Sequence, residues 1–202
     1  MTMTKKIIIT IGRQFGSGGV TLATELGKRL GIPVYDKELI LKAAQDSGFS
    51  PHPFERNDER TSLFSLSNLF SRDSFINDDS VFSIQCDTIR NIAEQGSAII
   101  VGRCSDYILR DMPDIVNIFL TGSMEDRTRR VMDRDGISAE EAQAKIEKKD
   151  KERAEYYNYY TFGNWGVAST YHLCIDTSSY GIEGAVEIII KALKTRGYTD
   201  EQ

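Results

Sequence analysis

The chain has 202 residues, 40% of them hydrophobic, and a formal net charge of −5. That is enough apolar material for one α/β domain with room for a small inserted subdomain, and the acidic balance speaks against nucleic-acid binding through a general basic surface. Three dispersed cysteines (Cys86, Cys104, Cys174) and two histidines (His52, His172) lack the pairing of a disulfide scaffold and the spacing of a zinc site.

Ile7, Ile8, Ile9 and Ile11 form a nearly continuous apolar run, which suits a strand buried on both faces of a parallel sheet. Gly12, Gly16, Gly18 and Gly19 follow at once, and from Thr21 to Leu30 the residues Leu22, Leu26 and Leu30 recur at helical spacing. Strand, glycine turn and helix together make a phosphate-binding loop. Glycine lets backbone N–H groups turn inward and lets a phosphate approach without a Cβ in the way. The helix N-terminus adds free N–H groups and the positive end of its dipole. A purely structural glycine turn is the plain alternative. Such loops ordinarily end in Gly-Lys-Ser or Gly-Lys-Thr. Aligning the last glycine with Gly18 puts Gly19 where the lysine would reach the β- and γ-phosphates, with Val20 and Thr21 next. Arg13 is the nearest cation, either taking over that work or solvated in the loop.

Residues 32–35 (IPVY) read as a second short strand, and a helix follows from Lys37 to Asp46. Asp36 stands at the strand's C-terminal end, where ligands of open α/β sheets bind. It also fits as the N-cap of the next helix, and one residue can do both. Residues 47–78 change character, with prolines, serines and scattered phenylalanines. A flap, an interface segment and an irregular loop all fit that composition. From Ser80 to Gln95 the apolar spacing predicts a helix closed by Gly96. Ala98 to Val101 is a buried strand with Gly102 and Arg103 at its end. The planar fork of an arginine there suits bidentate capture of a phosphate better than a structural ion pair.

Ile115 to Leu120 predicts a strand and Met124 to Asp133 a helix, on which Arg127, Arg130 and Arg134 share one face. Interspersed acids allow a salt-bridged surface; the sharper reading is a cationic lid over transferring phosphates. Ser138 and Glu141 form a capping box that opens a helix reaching about Tyr160, and this helix carries Asp150, Arg153 and Tyr157 on one face. Residues 172–175 (HLCI) read as a fifth strand and Ile182 to Leu193 as the last helix. No repeat, membrane-length apolar run or signal-peptide core appears, so the expectation is a cytoplasmic protein with no membrane partner.

Five strand signals alternating with helices, the first feeding a phosphate loop, make the pattern of the P-loop fold. At residues 12–19 (GRQFGSGG), 35–40 (YDKELI), 101–103 (VGR), 118–120, 150–157 (DKERAEYY) and 174–178 (CIDTS), in order along nearly the whole chain, the sequence resembles the cytidylate kinase-like family, a branch of the nucleoside monophosphate kinases. The resemblance implies a three-layer P-loop NTPase fold, a five-stranded parallel sheet flanked by helices, as a single domain over residues 1–202. It implies a helical acceptor-binding insertion at about 47–95 and a lid at about 121–160. The implied reaction moves the γ-phosphate of ATP to a CMP- or dCMP-like acceptor with Mg2+. The donor would bind at Gly12, Arg13, Gly16, Ser17, Gly18, Gly19, Val20 and Thr21, with Ser17 or Thr21 meeting Mg2+. The acceptor would meet Asp36, Arg103 and Asp150, and Arg127, Arg130 and Arg153 would supply catalytic charge. The chain departs from that family at Gly19, in lacking the usual acceptor signature after Asp36, and at residues 47–78. A catalytically weak nucleotide-binding regulator and a kinase of a non-nucleotide small molecule are the alternatives.

Overall fold

In the computed structural model the structure describes residues 3–46 and 79–200. Residues 47–78, with the flap and interface readings and most of the 47–95 insertion reading placed on them, lie outside the described residues. The elements in chain order are β1 (Ile8–Arg13), α1 (Gly19–Leu30), β2 (Val34–Tyr35), α2 (Lys37–Asp46), α3 (Asp79–Gln95), β3 (Ala98–Val101), α4 (Ser105–Ile108), β4 (Ile115–Thr121), α5 (Met124–Asp135), α6 (Ala139–Thr161), a short 3-10 turn (Ala168–Thr170), β5 (Leu173–Asp176) and α7 (Thr177–Thr195).

The five strands form one parallel sheet in the order β2-β3-β1-β4-β5. The isoleucine run of the first strand explains the layering. Side chains alternate faces along a strand, so Ile7, Ile9 and Ile11 face one way and pack with Leu22 and Leu26 of α1 and Val186 and Ile189 of α7. Ile8 faces the other way, into a cluster with Ile89 and Ile92 of α3, Ile108 of α4 and Tyr157 of α6. Both faces are therefore apolar, as expected of a central strand in a parallel sheet. The one polar side chain in the strand's interior, Thr10, is buried and donates to Asn117 Oδ1 at 2.8 Å.

The edge strand β2 is shorter than expected. Pro33 has no N–H to give a sheet ladder and serves only as an acceptor, from Ile99 N at 2.9 Å. At the other end, α7 starts earlier than the apolar spacing predicts. Asp176 caps it by accepting from Ser178 N at 2.8 Å, and the helix then kinks at Gly181. Among the described residues no helix is long and apolar enough to cross a membrane.

The register aligns Ile11 with Val101 on one side and Arg13 with Leu120 on the other. The glycine loop after β1 and the Gly102-Arg103 turn after β3 thus emerge side by side at the C-terminal edge of the sheet. Open α/β sheets bind their ligands along that edge.

Candidate active site

The glycine loop sits directly before α1. Gly16 and Gly18 have φ of 79° and 81°, the left-handed region that side chains disfavour. Gly18 is the N-cap of α1, whose first turn holds no acidic residue. The loop is held from outside by side chains far along the chain. Asp150 Oδ1 accepts from Phe15 N at 2.6 Å, and Arg127 donates to Asp150 Oδ2 at 2.6 Å and to Phe15 O at 3.3 Å. Arg130 donates to Gly16 O at 3.4 Å and to Thr177 O at 3.1 Å. Arg153 donates to Arg13 O at 2.9 Å. The fully buried Thr177 hydroxyl lies 2.9 Å from Ser17 O and accepts from Arg130 Nη1 at 3.2 Å.

These anchors have a consequence for the N–H groups. A peptide unit is planar and trans, so a carbonyl fixed outward points the following N–H inward. Holding Phe15 O aims the N–H of Gly16, and holding Ser17 O aims the N–H of Gly18. Neither N–H has a loop or side-chain acceptor among the described residues, whereas Ser17 N turns back to Gln14 O at 3.3 Å. The loop therefore presents oriented donors beside a helix N-terminus, an arrangement suited to an anion.

The three arginines expected to supply catalytic charge share a sequence pattern but lie at different depths. Arg127 is buried, in a nearly water-free pair with Asp150. Arg130 is partly buried against Thr177. Arg153 lies 5.2 Å from the Phe15 ring centroid, and burial lowers its pKa. In this geometry all three grip loop carbonyls, and Asp150 grips a loop N–H. Arg134 extends outward to Asp135 and over the other side of the site, 4.9 Å from the Phe15 ring. Phe15 in turn packs on the small core that joins α5 to α6, Val131, Ala142 and Ile146.

On the neighbouring turn, Gly102, Arg103 and Cys104 have φ of 75°, 61° and 56°. Two consecutive non-glycine residues in the left-handed region cost about 1–2 kcal/mol each and persist only where the surroundings impose them. Here Gln85, buried on α3, donates from Nε2 to Arg103 O at 3.0 Å and accepts from Tyr156 OH at 3.2 Å. The Arg103 guanidinium lies 5.4 Å from the Tyr156 ring centroid. Beyond it, Phe82 stacks on Tyr160 with centroids 3.8 Å apart. Below the turn, Tyr157 OH donates to Asp106 Oδ2 at 2.8 Å, and burial raises the Asp106 pKa. Gln85 and Asp106 carried no signal in the sequence; Tyr157 stood on the Asp150–Arg153 helix face and Thr177 within the CIDTS segment, without the contacts they make here.

Asp36 caps α2, with Oδ1 accepting from Glu38 N and Leu39 N, each at 3.1 Å. It also faces Arg13, whose charge it favours, while Arg103 and Arg153 crowd the same guanidinium. The structure thus gathers Arg13, Arg103, Arg153 and Asp36 between loop and turn. Of the hydroxyls nominated for Mg2+, Ser17 is buried and donates to Gln14 O at 2.8 Å, whereas Thr21 is exposed on the first turn of α1. Val20, beside it, is 50% exposed. The described residues contain no cluster of three carboxylate, histidine or cysteine groups that would hold a metal unaided.

The cytidylate kinase-like family profile matches residues 8–179 of this chain. A cytidylate kinase of Methanopyrus kandleri is 26% identical over 197 residues, covering 93% of both chains. One of Pyrococcus abyssi is 29% identical over 189 residues, again covering 93% of each. Among solved structures, an uncharacterized protein from Eubacterium ventriosum superposes with a TM-score of 0.75 at 32% identity, covering 94% of this chain and 99% of its own. A shikimate kinase from Bacteroides thetaiotaomicron shares the fold, with a TM-score of 0.56 at 14% identity over 93% of this chain and 98% of that one.

Proposed function

This chain belongs to the cytidylate kinase-like family, and from that premise we propose that it transfers the γ-phosphate of ATP to CMP or dCMP. The coarser reading, a nucleoside monophosphate kinase-like phosphotransferase, follows from the family and from its P-loop kinase fold. One observation carries the reading to the site: Arg13, Arg103 and Arg153 meet between two phosphate-facing loops, with Asp36 as the carboxylate acting on Arg13. Such a concentration of positive charge at a strand edge is costly without an anion to neutralise it.

Phosphoryl transfer needs alignment and cationic stabilisation of the equatorial oxygens more than covalent help. The inward N–H groups of Gly16 and Gly18 and the first turn of α1, Gly19, Val20 and Thr21, bind the donor phosphates, and Gly12 lets the loop leave the sheet. Arg127, Arg130, Arg153 and Asp150 keep those donors aimed by gripping the loop from outside. Arg103 and Asp36 face the acceptor, whose phosphate Arg103 clamps with its planar fork. Thr21, exposed on the first turn of α1, would be the hydroxyl to meet Mg2+, which would neutralise charge on the donor phosphates.

The test is ADP release from Mg-ATP with a panel of nucleoside monophosphates, using wild type and Arg103→Ala. Acceptor-dependent release that is strongest with CMP or dCMP and falls by about 10²-fold or more in the variant supports the reading. Release with another monophosphate corrects the acceptor. ATP binding with no acceptor-dependent release supports the nucleotide-binding regulator that glycine at position 19 favours.

A further inference from the structure

The position that ordinarily carries the loop lysine is occupied by Gly19, and the structure places another side chain in the adjoining space. A Cβ built on Gly19 would stand 2.9 Å from Arg13 Cγ and 3.3 Å from Arg13 Cβ, closer than packed carbons come. A Cβ on Gly102 would overlap Arg13 Nη1. Arg13 therefore runs from the end of β1 across Gly19 and ends against Gly102. Its guanidinium lies beside the Arg103 turn, on the donor side of the acceptor arginine.

Gly19 is informative because its backbone is ordinary. It is the first residue of α1 and is absent from the positive-φ glycines, so conformational freedom does not explain it. Glycine is the least favoured helix residue after proline. Space for Arg13 is the explanation the geometry offers. Gly102 has a positive φ as well, so it answers to both demands.

We propose that Arg13 is the phosphate-binding cation of this loop, supplied from the start of the loop instead of from position 19, with Gly19 and Gly102 kept bare to house it. The inference rests on the phosphotransferase reading and names the group that does the lysine's work. Three facts support it besides the packing. The carbonyl of Arg13 is fixed by Arg153, which pins the root of the side chain. The guanidinium gains no side-chain hydrogen bond among the described residues, so its donors remain available to a ligand. Burial and the charges of Arg153 and Arg103 press its pKa down. A guanidinium keeps its proton regardless, so this pressure is relieved by an incoming anion. A donor bound on the Gly16 and Gly18 N–H groups would place its terminal phosphates within reach of a fork aligned toward Arg103, and one such arginine is worth about 10³-fold in transfer rate or more.

The test exchanges the two solutions. Binding of sodium tripolyphosphate and of Mg-ATP is measured by calorimetry for wild type, Arg13→Ala, Arg13→Lys, Gly19→Lys and the double variant Arg13→Ala/Gly19→Lys, with thermal melts as a folding control. Arg13→Ala is expected to weaken both ligands by about tenfold or more with its melting temperature little changed. Arg13→Lys is expected to keep part of the affinity. Gly19→Lys alone is expected to bind poorly, because the new side chain meets Arg13, and the double variant is expected to recover most of the loss. Wild-type affinity in Arg13→Ala overturns the proposal, as does a folded double variant no better than Arg13→Ala. If the Gly19 variants fail to fold, the order wild type, Arg13→Lys, Arg13→Ala decides alone. Wild type that binds tripolyphosphate through Arg13 yet phosphorylates no nucleotide contradicts the kinase reading and leaves this inference standing. Wild type that binds neither ligand overturns it.

Discussion

The glycine loop and the Arg103 turn, the proposed donor and acceptor sides of this cleft, are built in different ways. Around the glycine loop, Asp150, Arg127, Arg130, Arg153 and Thr177 each hold a backbone atom of residues 13–17. Around Arg103, the buried amide of Gln85 and the backbone bonds Gly102 N to Ile11 O at 3.0 Å and Ser105 N to Gly102 O at 3.2 Å steady a turn that sits in the left-handed region at three consecutive residues. On the proposed kinase reading, the first region needs a fixed constellation of N–H groups for the donor phosphates, so over-determination serves it. On the same proposed reading the second accommodates an acceptor, and its left-handed turn is held by neighbouring backbone together with Gln85.

The contrast can be broken at the Arg127–Asp150 pair. Asp150→Ala leaves Arg127 buried with its charge uncompensated and Phe15 N without its acceptor. The expected cost is about 3–5 kcal/mol of stability, read as a lowered denaturant midpoint, with donor binding lost in whatever remains folded. A loss below about 1 kcal/mol would mean that the loop is not held from outside. Replacing both partners with apolar residues of similar volume should recover much of the stability but not the donor affinity.

Thr177→Val should cost about 1–3 kcal/mol, because Ser17 O and Arg130 lose a buried partner. Its functional signature is weaker donor binding with little change in acceptor KM. Gln85→Leu sharpens the comparison from the other side. It removes the donor to Arg103 O and leaves Tyr156 OH without its acceptor, at about 1–2 kcal/mol. Acceptor KM should rise several-fold while the Kd for ATP stays put. Equal effects on both ligands would show that the two sides are not separable.

The smallest expected effect concerns pH. Asp135, hydrogen-bonded to Arg134 and Lys145, ties the end of α5 to α6, and those two bonds hold its carboxyl well below the usual carboxylate range. Its folded pKa is depressed, so its contribution is fully present above the ordinary Asp value near 4 and is lost as pH falls below it. Asp135→Asn should therefore lower stability slightly at neutral pH, converge with wild type as pH falls well below about 4, and so flatten the acid limb of the stability profile. An unchanged acid limb would remove this tie from the account.

Much of the fold was legible because its signals are local. The boundaries of α2 and β3 follow from their apolar spacing alone, and the Ser138–Glu141 capping box is present in full at the start of α6. β1 read as buried on both faces because Ile7, just before it, and Ile8, Ile9 and Ile11 within it run almost without interruption. The site was legible as a set of residues but not as a set of roles. Nothing in the spacing of Arg127, Arg130 and Arg134 says that the first is buried and the last exposed, because depth depends on what α6 brings to α5. The contact between Phe15 and Asp150 joins positions 135 residues apart, which no local pattern encodes. Gln85 and Thr177 are ordinary helix residues until the fold sets them against Arg103 and Ser17. Gly19 read only as a missing lysine; its meaning depends on where Arg13 points.

The most direct measurement follows the label. Purified protein is incubated with Mg-ATP carrying a labelled γ-phosphate and with CMP or dCMP, and the nucleotides are then separated. The account predicts label in CDP or dCDP at a rate that depends on acceptor concentration and collapses in Arg103→Ala. Label that stays in ATP or appears only as inorganic phosphate, whatever monophosphate is supplied, would contradict it.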